Sequence, residues 1–287
     1  MKYQSVLGWL LAPIFILSLI AAGAGLFYQA SGKAFSYTNH RQETVTINGQ
    51  GLYYYDTISS AAQMQGNDLV TLVVGLPLLV ISAWYAFRGS LRGRLLLTGT
   101  LGFFVYTYMS MATLASFNAL FLAYVAIFTL SLYSFILCIM SFDLNTLPQA
   151  FSEKLPYKWI VGLMFLVGGF LLLAWLGRIV PPLVQNQTPV LENTTTLVIQ
   201  FMDLGLIVPL AFLGGSLLLR RHAWGYLLSS IMLTKGVTLG LGVSAMAINM
   251  ARVGVPDSLG IMIPFLVITI LNLVLVTVLI KHVQPAR

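Results

Sequence analysis

Long apolar runs broken by short polar or basic stretches set the pattern of this chain, and the runs of spanning length are 6–28, 69–87, 95–115, 119–141, 158–177, 196–219, 224–250 and 259–280. A helix rising about 1.5 Å per residue needs about 20 such residues to cross a hydrocarbon core about 30 Å thick. The pattern therefore predicts an all-α polytopic membrane protein of about eight transmembrane helices, forming one membrane domain over 1–287. Leu95 to Met140 holds no charged residue and is too long for one helix, so a reversal is expected at Ser116, Phe117 and Asn118.

One long polar segment, 29–67, separates the first two runs. Thr44-Val45-Thr46-Ile47 and Leu52-Tyr53-Tyr54-Tyr55 flank an Asn48-Gly49 turn signal, which predicts a small β-hairpin. Residues 57–66 then read as a short helix approaching the bilayer. The three tyrosines suit the headgroup level, where amphipathic rings settle. A disordered loop is the competing reading.

Composition agrees with the pattern: 58% of the 287 residues are hydrophobic and 8% charged, against about 45–50% and 25% in ordinary soluble domains. Soluble globular folds and intrinsic disorder are both excluded. A single cysteine, Cys138, excludes an intramolecular disulfide framework, a CxxC redox centre and a multi-cysteine zinc site. The net charge of +7 does not point to nucleic acid, because the basic residues occur in small groups between apolar runs.

Those groups alternate as the positive-inside rule requires. Lys2, Arg88, Arg92, Arg94, Lys154, Lys158, Arg220, Arg221, Lys281 and Arg287 fall on one side, and Lys33, Arg41, Arg178 and Arg252 on the other. The chain is thus expected in the plasma membrane with both termini cytoplasmic, the lipid bilayer its first partner and 29–67 an extracytoplasmic loop. Lys2 and Ala22-Gly23-Ala24 also fit a signal peptide, although Val6 to Tyr28 exceeds the usual apolar core of 7–15 residues.

A loose internal repeat runs through these spans. Asp68-Leu69, Pro77, Arg88, Arg92 and Arg94 precede Leu97-Thr98-Gly99-Thr100-Leu101-Gly102; Asp203-Leu204, Pro209, Arg220 and Arg221 precede Leu233-Thr234-Lys235-Gly236-Val237-Thr238-Leu239-Gly240. Met111-Ala112 and Met246-Ala247 occupy similar places. Spans 2–4 and 6–8 would then be two parallel three-helix units, an arrangement found among transporters. The interval from aspartate to proline differs between the two copies, which sets chance similarity of apolar sequence against common ancestry.

Candidate chemistry rests on charge inside the bilayer, where an ionisable side chain costs about 2.5–3.5 kcal/mol even on insertion scales. Lys235 lies roughly 16 Å from the cytoplasmic boundary by helical rise, too deep for snorkelling. It calls for a cavity or a carboxylate. Asp203, about 9 Å further out on the sixth span, and Asp68, opening the second, are the acids in reach. Asp68, Asp203 and Lys235 are therefore the candidate substrate- or ion-binding residues, with a helix-pairing ion pair as the purely structural alternative.

Pro209 would free a backbone acceptor near Asp203, and Pro77 and Pro264 would act likewise. Gly236, Gly240 and Ser244 form a small-residue ridge read as helix packing. Tyr106, Ser110 and Thr113 form a polar stripe, read first as bonding between helices and second as cavity lining. Asn186-Gln187-Thr188 and Asn193-Thr194-Thr195 match the glycosylation acceptor pattern.

No cofactor or metal is expected. His40, His222 and His282 lie in loops or at a helix end, and the sequence holds no HExxH, GxSxG or GxxxxGK[ST] motif. A retinal-type Schiff base on Lys235 has no further support. The leading expectation is transport of a small solute or ion through an outward-opening polar cavity, energised by an ion gradient or a partner membrane subunit. The alternative is a membrane sensor or accessory subunit that binds a ligand or partner through 29–67. An intramembrane enzyme lacks a nucleophile or metal site.

Overall fold

The computed structural model describes residues 1–256 and 258–284. Among them are eight helices long and apolar enough to cross a membrane, and the chain is a multi-pass membrane protein: α1 Gln4–Phe27, α2 Ile58–Phe87, α3 Leu91–Leu114, α4 Phe121–Met140, α5 Tyr157–Val184, α6 Val198–Leu219, α7 Ala223–Arg252 and α8 Ser258–Lys281. The expected reversal between the third and fourth spans occurs, at 115–120.

Local chemistry starts and stops these helices. Thr57 caps α2, its side chain accepting from Ser60 N at 3.1 Å, and Ser90 caps α3 by accepting from Gly93 N at 3.2 Å. His222 does the same for α7 through Nδ1, which accepts from Trp224 N at 3.3 Å. The α2–α3 and α6–α7 turns each reverse through a left-handed residue, Gly89 (φ 84°) and Arg221 (φ 56°). Just inside the following helices, a Cβ on Gly93 would lie 2.5 Å from Ala86 N and one on Gly225 2.2 Å from Leu218 N, so only glycine lets each new helix start against its predecessor's backbone.

Both prolines that open the second half of a span are preceded by a widened turn. In α2 the residues Thr71–Gly75 form a π-turn, with Leu76 N–H reaching back to Thr71 O, and Pro77 follows. In α6 the residues Asp203–Ile207 do the same, with Val208 N–H bonded to Asp203 O, and Pro209 follows. The lost proline donor is absorbed by this local widening, a common device where a helix bends or carries a site.

A constant offset relates Thr71 to Asp203, Pro77 to Pro209, Arg88 to Arg220, the caps Ser90 and His222, and Gly93 to Gly225. This register pairs Asp203 with Thr71 and Asp68 with Gln200, so the two aspartates are not counterparts. That removes the unequal aspartate-to-proline interval. Packing follows the same plan: α1 lies against α2 and α4, and α5 against α6 and α8. Two apolar clusters result, one centred on α1–α4 and one on α5–α8 with the 142–155 segment.

The basic groups gather at one end of the bundle. Arg92 donates to Val283 O at 2.6 Å, Arg94 to Ser141 O at 2.9 Å, and Phe151 stacks on Tyr226 at 4.7 Å, tying the α4–α5 loop, the α6–α7 turn and the tail after α8 together. The connections 28–57, 115–120 and 185–197 meet at the opposite, hairpin end.

That hairpin differs from the expectation. β1 (Phe35–Thr38) pairs antiparallel with β2 (Thr44–Ile47), and the turn falls at 39–43, not at Asn48-Gly49. Asn39 decides it: its Oδ1 accepts from Arg41 N and Glu43 N at 2.8 and 3.1 Å, with Gln42 left-handed at φ 63°. Asn48-Gly49 still makes a turn, but it folds residues 48–56 into a tight loop in which Asn48 N reaches Asp56 O at 2.8 Å. Residues 58–66 are the first turns of α2 and no separate helix. Tyr53 is buried in the bundle, whereas Tyr55 is exposed.

Candidate functional site

A cavity of about 700 Å³ lies between α2, α3, α5, α6, α7 and α8. At the hairpin end it is lined by Asp56, Ser59, Glu192 and Thr194; at depth it is lined by Tyr106, Trp175, Asp203 and Lys235. Lys235 also lines a second space of about 30 Å³, with Met164, Leu233, Phe265 and Asn272, so it stands between the two.

Lys235 is buried, and its Nζ has no hydrogen-bond partner among the described residues. The ammonium sits over the Tyr106 ring, 3.7 Å from its centroid. A desolvated contact of this kind is worth about 2 kcal/mol, which offsets much of the insertion cost of about 2.5–3.5 kcal/mol. The same tyrosine donates its hydroxyl to Asp203 Oδ1 at 2.6 Å, and Trp175 Nε1–H donates to Asp203 Oδ2 at 2.9 Å. Tyr106 therefore fills the axial gap between the lysine and the aspartate, and the two charges make no direct ion pair within 4.0 Å among the described residues.

The widened turn places Asp203 here: as its first residue the aspartate holds Val208 N–H through its carbonyl and turns its carboxylate toward Tyr106 and Trp175. The structure thus brings together Asp203 and Lys235. It does not bring in Asp68, whose carboxylate faces α1, accepts from Tyr53 Oη at 2.6 Å, and lies where a Cβ on Gly25 would come within 1.9 Å of Oδ2. Its neighbour Asn67 lines the cavity instead.

The polar stripe of α3 faces this cavity throughout. Ser110 and Thr113 donate to carbonyls of their own helix, Thr107 O and Met109 O, so they line space and do not bond between helices; Tyr106 does both. The small-residue ridge of α7 packs on α8, where a Cβ on Gly236 would meet Asn272 at 2.3 Å and one on Gly240 would meet Thr269 at 1.8 Å. Gly66 of α2 likewise lies against the backbone of Met246.

Trp175 and Glu192 are the residues the sequence reading missed. A tryptophan near the end of a predicted span reads as an interfacial anchor, and nothing in the fifth span alone marks its indole as a donor. Glu192 clasps the mouth: left-handed at φ 52°, it offers its carbonyl to Asn39 Nδ2 at 3.0 Å and to Arg41, and its carboxylate to Thr57 Oγ1. Arg41 also donates to Thr194 O at 3.0 Å. Asp56, beside this clasp and outside the spans, accepts from Ser116 N at 3.0 Å, but its second oxygen has no partner among the described residues. Burial pushes its carboxyl up to about 6.

Among the described residues no group of three or more His, Cys, Asp or Glu could hold a metal ion. Comparison of the chain with protein-family models, with curated proteins and with solved structures finds no match in any of the three.

Proposed function

We propose that this multi-pass membrane protein moves a small solute or ion through the cavity between α2, α3, α5, α6, α7 and α8, with Asp203 and Lys235 forming its deep binding site and Asp68 a packing residue outside it. One observation carries this reading: a cavity of about 700 Å³ runs from polar loop residues at the hairpin end to a buried cation that also borders a second space of about 30 Å³. Cavities of this size suit organic solutes. Ionisable groups within spans mark pathways more often than they serve packing.

Supporting a transport architecture, the constant offset between 71–93 and 203–225 relates the α2–α3 and α6–α7 turns, as two parallel repeat units would require, and such units in known transporters rock about a site at their interface. The basic end faces the cytoplasm in this reading, by the distribution of Lys and Arg.

The sensor or accessory-subunit reading draws on the ordered hairpin segment clasped to Glu192. That segment lends Asp56, Thr57 and Ser59 to the same cavity. Both readings therefore share one site and part only on whether the bound solute crosses. An uptake screen on proteoliposomes decides this. Solute accumulation that is lost in Lys235→Met supports transport; saturable binding with no accumulation of any bound solute overturns it in favour of sensing.

A further inference from the structure

We infer that the deep site takes an organic monocarboxylate, its carboxylate on Lys235 and its apolar body along the wall toward the hairpin end. This deepens the solute-site reading and rests on it.

The argument is a balance of donors and acceptors at the bottom of the cavity. Lys235 brings three N–H donors and uses none among the described residues. Asp203, the acid nearest to it, has both oxygens engaged, by Tyr106 Oη and Trp175 Nε1. The Thr238 hydroxyl is spent on Lys235 O at 2.9 Å. What is unfilled at depth is therefore an acceptor. A cationic solute would find the Asp203 carboxylate already engaged by two donors and the unpaired group below it an ammonium.

Further up, the amides of Asn67 and Gln200 line the cavity and make no side-chain hydrogen bond among the described residues, so a second polar group has somewhere to bind. The deep wall carries the apolar side chains of Phe103, Met111, Leu171, Leu239, Val243 and Phe265, with the hydroxyls of Ser110 and Thr113 already donating to their own helix and Arg178 nearer the hairpin end. An inorganic anion would trade its hydration shell for such a wall and gain one cation. A phosphate, with two charges, would need more donors than the bottom provides. A single carboxylate on a hydrocarbon body satisfies both surfaces. Tyr106 fixes the geometry: with its ring under the ammonium and its hydroxyl on Asp203, it holds the lysine apart from the aspartate, so the cation is not quenched by a direct ion pair.

The test uses the full chain in lipid nanodiscs at pH 7.5, with butyrate, hexanoate and 3-phenylpropionate, each beside its amine and alcohol of equal length, all as chloride or sodium salts. The readout is thermal stabilisation with calorimetric affinity. At least one carboxylate is expected to bind about tenfold or more tightly than its alcohol, the margin of a charge-assisted bond, and its amine to bind no better than the alcohol. Lys235→Met should bring that carboxylate down to the level of its alcohol, in a variant shown to be folded by its circular dichroism and by a cooperative thermal transition without ligand. The comparison within the wild-type protein needs no variant. An amine preferred over its carboxylate, equal affinity across all three forms, or no carboxylate bound overturns the assignment. The solute-site reading falls separately, on the uptake screen.

Discussion

The α2–α3 and α6–α7 stretches share a local backbone plan and surround a buried acid in opposite ways. In α2, Asp68 sits one turn before the π-turn, pressed against Gly25 of α1, its carboxylate held by Tyr53. In α6, Asp203 opens the π-turn itself, holds a tyrosine and a tryptophan, and borders open space with a lysine at its edge. A tyrosine hydroxyl compensates the carboxylate in each case. The difference lies in what surrounds the pair: one is sealed by helix packing, the other left facing a cavity. Burial and a tyrosine hydrogen bond are common to both acids; access to open space and an unpaired cation nearby belong to Asp203.

Perturbing each half should separate them. The largest effect is expected for Lys235→Met in the second half, with uptake falling to background; the double change Lys235→Met with Asp203→Leu should stay inactive while folding normally, because a buried pair is often replaceable by apolar residues of similar volume. Full uptake by the double variant would reduce the second half to the same structural role as the first.

Next in size is Gly25→Val, which forces a side chain onto Asp68 and Tyr53. Overpacking of this kind costs about 1–3 kcal/mol. Thermal unfolding followed by tryptophan fluorescence should show the loss, with ligand affinity unchanged in the protein that remains folded. Asp68→Asn keeps an acceptor for Tyr53 and should cost at most about 1 kcal/mol of stability, again without effect on affinity. A large change in affinity from either would place the first half in the site after all.

The mouth gives a pH-dependent signal of the same order. Asp56 is pushed up to about 6 from an ordinary 3.8, by burial first. The folded state therefore binds more protons than the unfolded one between those values. Its contribution is fully present below about pH 4 and is lost as pH rises through 6, an effect of about 3 kcal/mol at most. Asp56→Asn should flatten this part of the stability profile between about pH 4 and 6 relative to wild type. Smallest of all, Arg41→Ala should leave the bundle intact and speed proteolysis within 185–197, since it removes donors from Thr194 O and the Glu192 carbonyl.

Length and hydropathy were enough to read the eight spans, because a bilayer imposes one dominant requirement on every helix. The start of α2 escaped that reading: residues 58–66 are of mixed polarity, and only their burial against α7, with Gly66 on the Met246 backbone, makes them helix in the same rod. The hairpin register was equally hidden, since Asn39 and Asn48 both offer turn chemistry and side-chain bonding at Asn39 decided between them. Charge and depth singled out Lys235, Asp203 and Asp68 alike, but not which of them share a cavity, because depth along a helix says nothing of which way a side chain faces. Trp175 passed no filter at all.

Each π-turn holds one more residue than the regular turn it replaces, and that surplus has a consequence for what the chain tolerates. Removing a single residue from 203–207 would let a regular turn close in place of the widened one, so the residues after it keep the face they now present. Ala211, Gly215 and Leu218 would stay against neighbouring helices, and the same holds for Leu79, Ser82 and Ala86 after 71–75. The same deletion in a regular stretch of either span has no surplus to absorb it and would turn everything after it by about 100° about the helix axis. These two stretches are thus where each span tolerates the loss of one residue, at the expense of the local widening that sets Asp203 and Thr71.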